Sequence, residues 1–308
     1  MQFTVIIATC NWPERLEQAL AAVRRSIEQM GQSQAVIVSD NGPDRPAEAV
    51  ARAFADRADF PVTYIKSDPF SKAAALNKAI WSSETPWVAF TDDDCLPDPG
   101  WLAAASKHIG GSDVNLFSGL LRHVPPDFPL PRWLNNDELP WSPAFVDYAP
   151  LPQSGIMDDN ERVPFGANLF VKKSVYEQYG GYDEELWNRC GHAALGSEDA
   201  EFAIRVRERG EKIGYCAEAV VEHPVFAERV TRKYYLRHIF HSGMREPYFA
   251  ESGTRAPYSY LARSMLTSLL KSAGSSITGK PARAMYHLME ATRDAGEIRG
   301  WQRYTPAS

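Results

Sequence analysis

The sequence predicts an α/β fold, a mainly parallel sheet flanked by helices, followed by a C-terminal helical extension. Three observations carry that expectation. Short apolar runs rich in β-branched residues alternate with longer stretches of helical periodicity. Helix-start and helix-stop residues sit between them. Carboxylates gather where the strands would end, which is where open α/β sheets bind ligands.

The first strand is Phe3–Thr9, a continuous apolar run. Asn11 and Pro13 then open a helix on which Leu16, Leu20, Val23, Ile27 and Met30 recur at helical spacing, and Gly31 ends it. Residues 35–38 form the second strand, closing on Ser39-Asp40-Asn41-Gly42, and Pro46 opens a helix with Val50 and Phe54 on one face. Residues 62–65 form the third strand. Ser71 caps a helix to Ser83 that carries Lys72, Leu76, Asn77 and Ile80. Val88, Ala89 and Phe90 make the fourth strand. Such a β-α-β-α-β-α-β run implies parallel strands joined by right-handed crossovers.

That fourth strand ends in Asp92, Asp93 and Asp94. Alternate residues of an extended segment share a face, so Asp92 and Asp94 point the same way. Two carboxylates held together repel unless a cation or a donor lies between them. Hard oxygen ligands at that place suit Mg2+ or Mn2+ holding a diphosphate. The alternative is an acidic turn that caps the next helix.

After a helix near Trp101 to Ile109 and a strand over 114–119, residues 124–164 turn dense in Pro and Trp, including Trp133 and Trp141. A loop of that length is commonly functional. Its aromatic rings make it a candidate acceptor wall; the alternative is an ordered surface insertion. Regularity returns with a strand over 166–171 and a helix from Ser174. A further helix is N-capped by Ser197, runs to about Arg209 and is ended by Gly210. Residues 213–217 and 219–222 are the last strands, before His223-Pro224. In the remainder, Leu261, Met265, Leu266, Leu269 and Leu270 form an apolar stripe, read as packed on the protein's own core or lying in a membrane plane. Pro281 opens the last helix, with Met285, Leu288 and Met289 on one side and Gly296 at its end. The expected division is one α/β domain over 1–226, with an insertion near 122–164, and a basic helical extension over 227–308.

The 308-residue chain carries a net charge of −6. Residues 229–308 hold 13 Lys+Arg against 5 Asp+Glu, or +8, which leaves −14 for residues 1–228. A basic tail on an acidic body points to an anionic contact, a phospholipid surface or a lipid-phosphate acceptor. Nucleic acid is not expected, because no recognised binding motif accompanies the charge. The four cysteines, Cys10, Cys95, Cys190 and Cys216, are scattered and form no CxxC pair, against both a zinc site and a disulfide framework. With no basic leader and no apolar run of bilayer length, the expected setting is cytoplasmic, at the inner membrane face where the tail makes peripheral contact. No GxGxxG follows the first strand and no GxxxxGK[ST] occurs, which argues against a dinucleotide site and excludes a P-loop.

Taken in order, these pieces resemble the family 2 inverting glycosyltransferases of the GT-A fold, of the bacterial polysaccharide-assembly type. The matching residues are Val-Ile-Ile-Ala-Thr-Cys-Asn-Trp-Pro-Glu-Arg-Leu at 5–16, Val38-Ser39-Asp40-Asn41-Gly42 and Thr91-Asp92-Asp93-Asp94. They continue with Gly166-Ala167-Asn168, Gly180-Gly181-Tyr182-Asp183-Glu184, and Ser197-Glu198-Asp199 before a helix ending Arg-Glu-Arg-Gly. The resemblance implies a metal-dependent transfer of a sugar from a nucleotide-diphosphate donor, a UDP-sugar by expectation, to a saccharide or lipid-linked acceptor. It implies a donor site of Thr9, Asn11, Asp40, Asn77, Asp92, Asp93, Gly166 and Asn168, with Asp40 at the base and Asp92 near ribose and diphosphate. Asp94 would be the metal-binding acid of a DxD motif, joined by Asp92 and His223, with Mn2+ or Mg2+ as the cofactor. Asp199 would be the catalytic base and Glu198 its neighbour.

Adjacent helical residues do not share a face, so one of Glu198 and Asp199 should aim into the cleft while the other caps or orients. The sequence departs from the family at Ala8, Cys10 and Leu76, which stand for its usual Pro, Tyr and Arg; Lys72 is the cation available in place of the last. Two rival readings are a nucleotidyltransferase of similar layout, whose Gly-rich basic loop after the first strand is absent, and a non-catalytic sugar-nucleotide-binding or membrane-docking protein.

Overall fold

The computed structural model describes residues 2–44, 46–67, 71–134, 139, 142–158, 162–186, 197–249 and 256–304. They form two compact units. The first comprises Met1–Val124, Asp147–Glu184 and Gly196–Pro224; the second comprises Pro125–Val146, Glu185–Leu195 and Val225–Ser308.

The first unit holds a nine-stranded sheet. Its strands are β1 (Phe3–Thr9), β2 (Ala35–Asp40), β3 (Val62–Lys66), β4 (Trp87–Asp92), β5 (Leu96–Pro97), β6 (Leu116–Val124), β7 (Gly155–Ile156), β8 (Leu169–Lys172) and β9 (Ile213–Pro224). The order is β3-β2-β1-β4-β8-β6-β9-β5, with β7 also on β9. The long ladders, β1 with β2 and β4, β2 with β3, and β6 with β9, are parallel. The short ones that use β5, β7 and β8 are antiparallel.

Helices α1 (Pro13–Met30), α2 (Ala47–Ala55), α3 (Lys72–Ser82), α4 (Trp101–Gly111), α5 (Lys173–Tyr179) and α6 (Glu198–Glu208) flank it. Their ends follow the expected chemistry in most cases. Pro13 stands at the start of α1, and Gly31 closes it at φ 68°, the left-handed region that glycine enters without penalty. Ser71 caps α3 by accepting from the Ala74 amide at 3.1 Å. The start of α6 differs: Ser197 makes no side-chain cap, and Glu198 Oε2 instead accepts the Ser197 N–H at 3.0 Å.

The core explains why the strands lie where they do. Phe117 and Phe170 stack at 4.7 Å between β6 and β8. Trp101 and Phe3 pack on the same Phe170 ring. A second aromatic group fixes α6: Phe202, fully buried, stacks on Tyr176 of α5 at 4.7 Å, and Tyr182 touches both. Burying each such ring stabilises by about 1.5–3 kcal/mol. β9 is one strand where the sequence suggested two, because a register shift against Gly119/Leu120 lets it bulge and continue.

The second unit is helical: α7 (Arg232–Phe249), α8 (Tyr258–Ile277) and α9 (Pro281–Arg303). Its core joins Tyr235 and Ile239 of α7 to Met285 and Met289 of α9, and takes in Trp133, Leu134, Leu139 and Ala144. Trp133 meets Tyr235 edge-on at 5.0 Å. This corrects the acceptor-wall expectation at Trp133, whose ring is a buried core group because the helical core offers it more apolar area than solvent does. Trp141 lies outside the described residues.

Gly296 is another correction. α9 does not end there but runs to Arg303. A Cβ on Gly296 would stand 2.1 Å from the Phe240 carbonyl oxygen, so glycine marks a close helix crossing, not a cap. The stripe on α8 is a third: Leu261 is buried, but Leu266, Leu269 and Leu270 face solvent. Among the described residues, no helix is long and apolar enough to cross a membrane.

Candidate active site

The parallel strands end side by side. Thr9 pairs with Asp40 across β1 and β2, and Ala8 pairs with Asp92 across β1 and β4. The acids predicted from separate segments are therefore brought to one sheet edge by register alone.

Lys72, at the start of α3, reaches into that edge. Its ammonium lies 2.8 Å from Asp92 Oδ1 and 3.5 Å from Glu198 Oε1. Burial opposes the charge on Lys72, but Asp92, Glu198 and Asp199 outweigh it, and its pKa is raised. One pocket is lined by Lys72, Asp92, Gly166, Tyr182, Glu198 and Asp199. Both acids of the Glu198-Asp199 pair line it. Glu198, the first residue of α6, also accepts the Ser197 N–H and faces Lys72, which is the capping and orienting part expected of one member of the pair. At the first turn both acids lie where the helix dipole favours them.

The two acids are nevertheless different. Asp199 Oδ2 accepts the Gly166 N–H at 2.6 Å and Oδ1 accepts the Ala200 N–H at 2.8 Å. Burial first, and then the Glu198 charge, push its pKa up to about 7. Glu198 is held on one side by the Ser197 amide and on the other by Lys72. Asp93 has a raised pKa as well, about 7, from burial and the adjoining Asp94. Thr9 Oγ1 donates to Asp93 Oδ2 at 2.7 Å and opposes that rise.

Asp94 forms a second cluster. Its carboxylate, the Cys95 thiol and the His223 imidazole have ligand atoms that all lie within 4.8 Å of one another. His223 Nε2 is 3.9 Å from Asp94 Oδ1, at the end of β9, and is buried. A carboxylate, an imidazole and a thiol can together hold a divalent ion at this place; the imidazole and thiol are softer donors than the oxygen ligands that Mg2+ prefers. Asp92 is not part of this group and turns to Lys72 instead. Cys95 was missed as a candidate because a lone cysteine carries no spacing signal.

Other predicted donor contacts have structural work. Asp40 is fully buried; Oδ1 accepts the Gly42 N–H at 2.8 Å and Oδ2 accepts the Tyr64 hydroxyl at 2.9 Å. Asn11 adopts φ 62°, and a Cβ on Gly42 would fall 2.4 Å from its Oδ1, so the two turns interlock. Asn77 Nδ2 donates to the Tyr182 carbonyl at 2.9 Å and to Glu184 Oε1 at 2.8 Å, and its Oδ1 accepts the Tyr182 N–H at 2.8 Å. It thereby clamps the loop that places Tyr182 in the pocket. Asn168, fully buried, accepts from Trp101 Nε1 at 2.8 Å and donates to the Leu120 and Ala219 carbonyls at the β9 bulge. Its amide faces the sheet; Gly166, two residues earlier, faces the pocket.

Residues 4–180 match the sequence model of Glycosyl transferase family 2. The chain belongs to that family. It is a glycosyl-transferring enzyme of the GT-A fold, and with that the nucleotidyltransferase and non-catalytic readings fall away. It is similar to glycosyltransferase AglE of Haloferax volcanii, 23% identical over 235 residues, covering 75% of this chain and 70% of the relative. Among solved structures, mannosyltransferase PcManGT from Pyrobaculum calidifontis in complex with GDP-Man and Mn2+ superposes with TM-score 0.62 at 17% identity, over 98% of this chain and 88% of that one. S. aureus TarS 1-349 in complex with UDP-GlcNAc gives TM-score 0.57 at 13% identity, over 94% and 90%.

Proposed function

We propose that the chain is a metal-dependent, inverting glycosyltransferase that moves a sugar from a nucleotide-diphosphate donor to a hydroxyl of a saccharide or lipid-linked acceptor at the inner membrane face. The observation that carries this reading is the single pocket lined by Asp92, Lys72, Glu198 and Asp199. Two acids from the sheet and helix ends meet there with a cation between them.

In this reading Thr9, Asn11 and Asp40, at the ends of β1 and β2, form the nucleoside end, and Gly166 lines the sugar end. Asp40 fixes Tyr64 and the turn at Gly42 for the base. Asp94 and His223 would hold Mn2+ or Mg2+, beside Cys95. Such an ion would supply positive charge against that growing on the departing diphosphate. Asp199 accepts the proton of the acceptor hydroxyl as its oxygen attacks the anomeric carbon and the bond to the diphosphate breaks. Its pKa of about 7 matches a base that works near neutral pH. Attack from the face opposite the leaving group inverts the anomeric centre without a covalent intermediate. Glu198 orients Lys72. The donor nucleotide is proposed as UDP, with support from TarS in complex with UDP-GlcNAc; PcManGT in complex with GDP-Man makes GDP the competitor.

The test is thermal stabilisation by a panel of nucleotide sugars with Mn2+, since a ligand of the native state raises its melting point. Turnover of the stabilising donor then follows. A shift with UDP-sugars and transfer that stops in Asp199→Asn are expected. No shift with any nucleotide diphosphate, with or without metal, overturns the donor assignment.

A further inference from the structure

Helix α8 is built inside out. The residues it buries are Leu261, Ser268 and Ser275, seven apart and so on one face. Ser272, next to them, donates its hydroxyl to the Ala284 carbonyl at 2.8 Å. The helix thus packs through serines. Beyond Leu261, four of its larger apolar side chains point the other way: Leu266 is 59% exposed, Leu269 42%, Leu270 66% and Ile277 86%. These four recur at three-, four- and seven-residue spacing, with Ala262 and Ala273 on the same stripe. Tyr258 and Tyr260 stand exposed at its first turn. A helix that buries serine and shows leucine loses hydrophobic stabilisation in water alone. Contiguous exposed apolar area of this kind marks an interaction surface.

Charge identifies the partner. No Asp or Glu occurs between Glu251 and Glu290, while Arg255, Arg263, Lys271, Lys280 and Arg283 fall in that stretch. Arg263 and Lys271 are exposed beside the leucine stripe. A second copy docking by a two-fold axis would bring two cationic helices together, which like charge opposes. An anionic bilayer satisfies both features: acyl chains take the leucines, headgroups take the cations, and tyrosines sit at the boundary.

We infer that α8 lies in the plane of an anionic lipid surface, Leu266, Leu269, Leu270 and Ile277 inserted, and Arg263 and Lys271 on the phosphates. The test uses the full chain and sedimentation with phosphatidylglycerol-containing vesicles, against phosphatidylcholine alone, at low and high salt. Binding to the anionic vesicles that weakens with salt is expected. The triple variant L266S/L269S/L270S should bind at least about tenfold more weakly. R263Q/K271Q should lose about fivefold or more. None of these residues lines the pocket, so donor binding should be unchanged; that separates failure here from failure of the proposed transfer. Absence of vesicle binding at low salt, or binding that the leucine variant leaves intact, overturns the inference. So does a dimer in solution that the leucine variant dissolves while vesicles bind neither form.

Discussion

Lys72 Nζ and Asp92 Oδ1 stand 2.8 Å apart, and this pair ties helix α3 to the end of β4 inside the pocket. The same ammonium faces Glu198 on α6. Three segments far apart in sequence are therefore joined by one side chain. Lys72→Met should leave two acids without their counter-ion. Both partners of the Lys72–Asp92 pair are about a quarter exposed, so the cost lies between the surface and buried limits, about 1–3 kcal/mol. A lowered melting temperature and a fall in kcat/KM of about tenfold or more are expected, with partial recovery in Lys72→Arg. A Lys72→Met enzyme of unchanged melting point and kcat/KM would show that the pair carries neither load.

Asp199 predicts a pH profile. A general base must be deprotonated, so with a pKa of about 7 the rate should fall as pH drops through neutrality, about tenfold per unit below it. Asp199→Asn should reduce turnover by about 100-fold or more while donor binding persists. Glu198→Gln should keep the acidic limb. If Glu198→Gln abolishes the limb and Asp199→Asn does not, the roles are reversed.

The same shift has a consequence for stability, with its own sign. The folded-state pKa of Asp199 is raised, from an ordinary 3.8 to about 7. Between those values the folded protein holds a proton that the unfolded chain has released. Stability therefore falls as pH rises through this window, and Asp93 adds to the slope in the same direction. Melting temperatures from pH 4 to 8 should decline less steeply in Asp199→Asn than in the parent. An equal slope in both would remove Asp199 from the linkage.

Metal removal tests the Asp94 cluster. Transfer should stop with EDTA and return with Mn2+. Asp94→Ala and His223→Ala should lose Mn2+ binding measured by calorimetry, whereas Cys95→Ser should retain it and lose preference for thiophilic ions. Calorimetric Mn2+ affinity unchanged in Asp94→Ala would place the ion elsewhere.

How much of this was legible in the sequence depends on where each partner lies. Strand ends and their acids were readable, because apolar runs and an Asp triplet are local signals. Parallel register then brings Thr9, Asp40 and Asp92 together without further information. Asn77 and Asn168 were not readable as clamps. Their amides meet backbone groups of residues 105 and 51 positions away, and nothing in the local pattern names those partners. Periodicity found the stripe on α8 but not its direction, since spacing defines a face without stating what covers it. Gly296 looked like a helix stop because the carbonyl of Phe240 that requires it belongs to another helix.

Gly119 offers the cleanest test of the sheet beneath the site. A Cβ there would stand 2.1 Å from the Ala219 carbonyl oxygen and 2.4 Å from Asn168 Nδ2. Neither neighbour has room to retreat: Asn168 is fixed by Trp101 and by two carbonyls, and Ala219 belongs to the bulge of β9. Gly119→Ala should therefore cost about 1–3 kcal/mol through overpacking. Asn168→Ala should cost a similar amount, because the Trp101 N–H and two carbonyls lose a buried partner. The two changes strike one contact, so the double variant should fall short of their sum. Chemical denaturation of the four proteins measures this directly, and strictly additive losses would mean that Gly119 and Asn168 act on the sheet independently.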